Sequence, residues 1–185
     1  MTKPSAARER ILETAHQLFY RAGIRATGVD LIIREAAVTK VTFYRHFPSK
    51  NQLILEFLDY RHQHWMRWFR DSLLALNAEG IPLDQAIGQT MAQWFNSDDF
   101  RGCAFTNTAA ELGDTLPEAL ERVRKHKRDM TVTLAGLLSA NSGGKTQAAM
   151  IAMAVDGAIV TAQRGEPVAH CVALLSDLTR RVISP

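Results

Sequence analysis

The sequence predicts an all-helical protein, with a small three-helix N-terminal domain followed by a larger helical domain. Three observations predict it. Apolar residues recur at three- and four-residue spacing along most of the chain, as in Ile11, Ala15, Leu18 and Phe19. The period-two alternation of strands is nearly absent. Helix-ending residues fall between the periodic runs, at Gly23, Pro48, Gly80-Ile81-Pro82 and Gly165-Glu166-Pro167.

The elements follow in order. A first helix is expected from about Ser5 to Ala22, with Gly23 as the residue that ends it. Thr27, with Asp30 three residues on, has the spacing of a capping box for a short second helix, about 28–36, that buries Val29, Ile32 and Ile33 or Ala36. A third helix begins near Thr39 and ends at Phe47, with Phe43 and Phe47 as its inward stripe. Ser49 and Gln52 form another capping box. It opens a long fourth helix running through Leu53, Phe57, Trp65 and Phe69 as far as Gly80. Further helices are expected at about 82–96, 103–112, from Pro117 through Leu137, 145–164 and 167–183, with Asn141–Gly144 as a loop. The domain boundary is placed inside the fourth helix, giving 4–64 and 65–185, two parts expected to move together.

Composition narrows the function. With 46% hydrophobic and 22% charged residues, 185 residues suffice for a core and argue against long disorder. Cys103 and Cys171 are too far apart for a metal pair or a disulfide framework, which points to a reducing cytoplasm. No leader is read in the first ten residues and no membrane span in the weakly charged stretch 145–164. Residues 1–70 hold 12 Lys and Arg against 6 Asp and Glu, whereas 71–185 hold 10 against 13. A basic N-terminal part on a mildly acidic remainder suits a polyanionic partner. No H-E-x-x-H, G-x-S-x-G or paired-cysteine site is present, so neither enzyme chemistry nor a cofactor is expected. Ser142-Gly143-Gly144-Lys145-Thr146 ends like a P-loop, but Ser139 stands where that loop needs its first glycine.

Three short helices with a tight turn between the second and third make a helix-turn-helix, at about 27–47. If Phe43 and Phe47 hold the third helix inward, then Thr39, Lys40, Val41, Thr42, Tyr44, Arg45 and His46 lie on or near its open side. Hydroxyls, cations, an imidazole and a methyl-bearing side chain suit base edges and phosphates in a major groove. Backbone N–H groups at Gly28–Asp30 and Lys50–Gln52 add helix N-termini of the kind that bind phosphate.

The run Val38-Thr39-Lys40-Val41-Thr42-Phe43-Tyr44-Arg45-His46-Phe47-Pro48-Ser49-Lys50 closely resembles the TetR family of bacterial transcriptional regulators. The stretch Arg101-Gly102-Cys103 through Glu111 is similar to one found in a group of these proteins. The resemblance implies double-stranded operator DNA as partner, with Thr27, Tyr44, Arg45, His46 and Lys50 at phosphates and Thr39, Lys40, Val41 and Thr42 at bases. It also implies a repressor that binds a palindrome as a homodimer and is released by a small molecule. A ligand-independent architectural DNA binder is the alternative. One departure stands out: Ala37 occupies the turn position where the family usually has glycine, and a left-handed backbone there costs a Cβ-bearing residue about 1 kcal/mol or more.

For the C-terminal part, the resemblance implies a dimer bundle from the last two helices. The candidate faces are Ala148, Ile151, Ala152, Val155, Ile159 and Ala162 on one, and Val168, Val172, Leu175 and Val182 on the other; the plainer reading is that both fill their own core. The resemblance also implies an effector pocket. Its candidates are Trp65, Trp68, Phe69, Met91, Trp94, Phe95, Cys103, Phe105 and Asn107, with Thr106, Glu111 and Met130 beside them. The cationic run Arg122–Arg128 reads as a solvated helix face.

Overall fold

A computed structural model describes residues 5–138 and 144–184. The described residues form helices and no strand. These are α1 (Ala6–Ala22), α2 (Val29–Glu35), α3 (Lys40–His46), α4 (Lys50–Ala78), α5 (Leu83–Phe95), α6 (Ala104–Leu112), α7 (Pro117–Leu137), α8 (Gly144–Gln163) and α9 (Val168–Ile183). The all-helical class is as predicted. Asn141, Ser142 and Gly143 of the expected loop lie outside the described residues, as does Ser139; Gly144 already opens α8. No described helix is long and apolar enough to cross a membrane.

The chain divides into two compact units. The first runs to Gln63 and also takes in Ala104–Val123; the second holds His64–Cys103 and everything from Arg124 onward. The division is therefore not linear. The α6 segment joins the helix-turn-helix unit because its side chains are used there, Phe105 against His62 and Glu111 against the loop after α1.

In the first unit the core is built from Ile11, Ala15, Phe19, Ile32, Phe43, Phe47, Leu53 and Phe57, all buried. Ser5 caps α1 by accepting the Arg8 N–H at 3.3 Å. Gly23 ends it at φ +89° with its N–H on Phe19 O. The start of α2 departs from expectation. Its cap is Gly28, with no side-chain cap bond. Thr27 is instead fully buried, and its hydroxyl donates back to Gly23 O at 2.7 Å. A threonine hydroxyl can bond backward as readily as forward, and here the backward bond closes the loop between α1 and α2. Ser49 does cap α4, accepting Gln52 N–H at 3.1 Å; Gln52 turns its amide toward Glu56 instead of completing the box.

Among the described non-glycine residues, Ala37 alone has a positive φ, +50°. The turn keeps the left-handed geometry that glycine would adopt freely, and the alanine bears the strain. Ala37→Gly is expected to raise stability by about 0.5–1 kcal/mol. That is the ~1–2 kcal/mol left-handed cost of a Cβ less the ~0.4–1 kcal/mol entropy that glycine adds to the unfolded chain. A urea midpoint that rises at constant slope would show it; a fall would refute the strain.

In the second unit, Ala148, Ile151, Ala152, Val155, Ile159 and Leu175 are buried within the chain. They are core, not a free dimer face. A Cβ added at Gly88 would overlap Ser176 Oγ and crowd Val172 Cγ1, so α5 and α9 meet closely there and Val172 faces inward. The apolar side that α8 leaves open carries Met150, Met153 and Val160; on α9 it carries Leu174 and Leu178.

Candidate nucleic-acid interface

The α3 helix is only seven residues long, too short to hold itself together in water. Its position comes from its neighbours. Phe43 and Phe47 are fully buried, their ring centroids 6.2 Å apart. Arg8 of α1 lays its guanidinium 5.2 Å over the Phe47 ring and pairs with Glu56 of α4. Thr39 caps α3, its hydroxyl accepting Thr42 N–H at 3.1 Å and lying 2.9 Å from the Thr42 hydroxyl. At the other end, His46 Nε2 lies 3.1 Å from Ser5 Oγ. The helix is thus pinned at both ends and along its inner stripe.

The outer stripe is open. Val41 is 78% exposed and Tyr44 43%; Thr39, Lys40 and Arg45 are exposed, and Thr42 and His46 half-buried. A single exposed valine is ordinary on a protein surface, and in a major groove a thymine methyl is a group that it can meet. Lys40 lies 3.7 Å from Asp30 of α2, both well exposed, a weak pair that a phosphate could displace.

Two of the residues expected at phosphates are placed differently. Thr27 is buried and its hydroxyl is occupied, so it serves the loop. Lys50 is half-buried: its Nζ donates to Ile24 O at 2.7 Å and lies 6.0 Å from the Phe19 ring centroid. Desolvation lowers its pKa below the usual lysine value, with attraction from Glu111 working the other way. Glu111 itself accepts the Arg25 backbone N–H at 2.7 Å.

The candidates for an effector site fall in both units. Trp65, Trp68, Phe69, Met91, Trp94, Phe95 and Cys103 belong to the second unit, Phe105 and Asn107 to the first. Trp65 is the hub of the second unit's aromatic cluster. It stacks on Phe69 at 4.7 Å and meets Trp68, Trp94 and the buried His126 edge-on. Its Nε1 is buried without a hydrogen-bond partner. Lys127 Nζ lies 3.5 Å from Cys103 Sγ and pairs with Asp156. Burial opposes that ammonium, but Cys103 and Asp156 together hold its pKa above the ordinary value.

Some functional geometry carries no local sequence signal. Ser5 reaches His46 of α3 across 41 residues, and Arg8, whose guanidinium lies over Phe47, pairs with Glu56 of α4 across 48. Glu111 reaches 86 residues back. The sequence suggests Glu111 only as a polar candidate beside the effector pocket and as the end of the 101–111 stretch, not as a partner of the α1–α2 loop.

Comparisons with known proteins agree with this arrangement. Residues 11–57 match the family described as "Bacterial regulatory proteins, tetR family". The HTH-type transcriptional regulator LmrA of Bacillus subtilis is 25% identical over 183 residues, 95% of this chain and 97% of its own length. The HTH-type transcriptional repressor NemR of Escherichia coli is 26% identical over 135 residues, 71% of this chain and 66% of its own. The crystal structure of a TetR-family transcriptional regulator from Streptomyces coelicolor superposes with a TM-score of 0.81 at 30% identity, covering 96% of each chain. The chain belongs to the TetR family of DNA-binding transcription regulators.

Proposed function

We propose that the protein represses transcription as a homodimer on a palindromic operator and leaves it when a small molecule binds. The carrying observation is the open stripe of α3. Thr39, Lys40, Val41 and Thr42 read bases; Tyr44, Arg45 and His46 hold phosphates; Thr27 and Lys50 act by fixing the loop before α2. A single recognition helix reads few base pairs, so specificity needs a second one, about 34 Å away or farther if the operator is longer.

The second copy is supported by the apolar face of α8 and α9. Met150, Met153, Gly157 and Val160 recur at spacings of three and four, the period of a helix-packing seam. Met153 is 75% exposed, and nothing lies within 4 Å of where a Gly157 Cβ would stand. A facing helix could therefore approach α8 closely. Between α8 and α9 runs a groove of about 530 Å³ whose walls include Met150, Met153, Leu174 and Leu178. A two-fold interface sets the same patch of two copies face to face, and among the described residues the groove's lining carries no charged one to oppose that.

The effector reading rests on the Trp65 cluster. Stacked rings around an indole N–H that has no acceptor suit a flat, largely apolar molecule bearing one hydrogen-bond acceptor. Its binding would favour a dimer whose recognition helices no longer match the operator spacing.

Selection of bound sequences from random duplex DNA tests the core of this. An enriched palindrome is expected, with affinity at least about a thousandfold above random DNA at the same salt. Equal affinity for random duplexes would make it an architectural binder instead.

A further inference from the structure

The loop between α1 and α2 is held by partners at three consecutive residues. At Gly23 the backbone passes so close to Glu111 that a Cβ would stand 3.2 and 3.3 Å from its two carboxylate oxygens. At Ile24 the carbonyl accepts Lys50 Nζ at 2.7 Å. At Arg25 the backbone N–H donates to Glu111 Oε2, also at 2.7 Å. Thr27 then closes the loop onto Gly23 O, and α2 begins two residues later. Carboxylate and ammonium thus grip adjacent peptide groups from α6 and α4. Attraction from Glu111 offsets part of what burial costs the Lys50 ammonium.

We propose that Glu111 is a positioning residue for DNA binding: its carboxylate clamps the α1–α2 loop at the Arg25 N–H and thereby fixes where α2 and α3 stand against the phosphates. This rests on the DNA-binding reading above. The clamp is a single charge-assisted hydrogen bond spanning 86 residues, so it makes the geometry of the helix-turn-helix depend on where α6 lies. Without it, the Arg25 N–H must turn to water and the loop loses its hold from α6. Lys40 and Arg45 would keep their charges, but on a helix pair less firmly set.

The test compares the full-length protein with Glu111→Ala and Glu111→Gln. Two readouts are taken: amide hydrogen exchange at Arg25, and affinity for the palindrome that selection yields. Circular dichroism checks that helix content is kept. Glu111→Ala is expected to speed Arg25 exchange about tenfold and to weaken operator binding by a similar factor, the scale of one lost charge-assisted bond. Glu111→Gln keeps an oxygen that can accept the same N–H and is expected to restore most of both. Unchanged Arg25 exchange in Glu111→Ala overturns the clamp. Faster exchange with unchanged operator affinity overturns its role in DNA binding. Equal damage from Gln and Ala also overturns it, since the acceptor would then not matter. If the wild-type protein selects no DNA sequence, the regulator reading fails; Arg25 exchange still decides the clamp on its own.

Discussion

Leu174→Asp is expected to convert the proposed dimer to a monomer and to lower affinity for its proposed palindromic operator at least about a hundredfold. Leu174 is 49% exposed on the open side of α9, across the groove from Met150 and Met153. In the single chain the substitution is tolerable, because an aspartate there can keep its water. In a two-fold interface the same change occurs twice, and two carboxylates would be stripped of water on an apolar face with no cation opposite. Desolvating unpaired charges costs several kcal/mol, enough to dissociate an interface of ordinary strength. The monomer would keep its cationic α3 face, so weak salt-sensitive binding to any duplex should persist. Light scattering with size-exclusion chromatography reads the mass, and gel shift at fixed salt reads the affinity. A Leu174→Asp protein that remains a dimer would place the interface elsewhere. Ile151→Asp is the contrasting control: Ile151 is fully buried, so that change is expected to unfold the second unit itself.

That contrast also marks where periodicity loses its power. Helix positions were legible because glycine, proline and capping residues fall where turns must be. Gly23, Gly80 and Gly165 all carry positive φ, and Ser49 caps as its spacing suggests. The strained alanine was legible only through the resemblance, because the family usually has glycine at that turn position, and the backbone there does adopt a positive φ. The face of α8 was not. Both of its sides are apolar: Ala148, Ile151, Val155 and Ile159 on one, Met150, Met153, Gly157 and Val160 on the other. In a helix apolar on both sides, the sequence does not say which side its own chain covers. Tertiary packing gave the branched residues to the interior and left the methionines outside. Thr27 and Lys50 illustrate a different limit. Residue type and spacing identified them as polar groups near the DNA-facing helices. Whether a hydroxyl or ammonium turns outward or back onto a carbonyl depends on Gly23, Ile24 and Glu111, which only the folded unit brings together.

Phe43→Ala and Tyr44→Ala, adjacent on α3, should have opposite signatures. Phe43 is fully buried in a helix that packs on α1 and α2, and truncating such a ring costs about 3–5 kcal/mol through lost transfer energy and the cavity left behind. The first unit has a small core, and stabilities of about 5–15 kcal/mol are usual for a whole domain. Phe43→Ala is therefore expected to melt α3 away from its neighbours and to abolish operator binding as a consequence of unfolding. Thermal or urea unfolding would show an early transition confined to part of the helical signal. Tyr44 touches Phe43 edge-on at 5.2 Å but is 43% exposed, so its loss should leave the transition within a few tenths of a kcal/mol. Its binding defect, on the order of 1 kcal/mol, would come from the phenol hydroxyl at a phosphate. Because that hydroxyl carries no charge, Tyr44→Ala should weaken binding without changing the salt dependence. Arg45→Ala should reduce the slope of log K against log salt by about 0.9, the share of one neutralised phosphate. Stability, affinity and salt slope thus separate the residue that holds α3 in place, the one that touches DNA by hydrogen bond and the one that touches it by charge. If Tyr44→Ala unfolded the protein as Phe43→Ala does, or Arg45→Ala left the slope unchanged, the outward stripe of α3 would not be the surface that meets DNA.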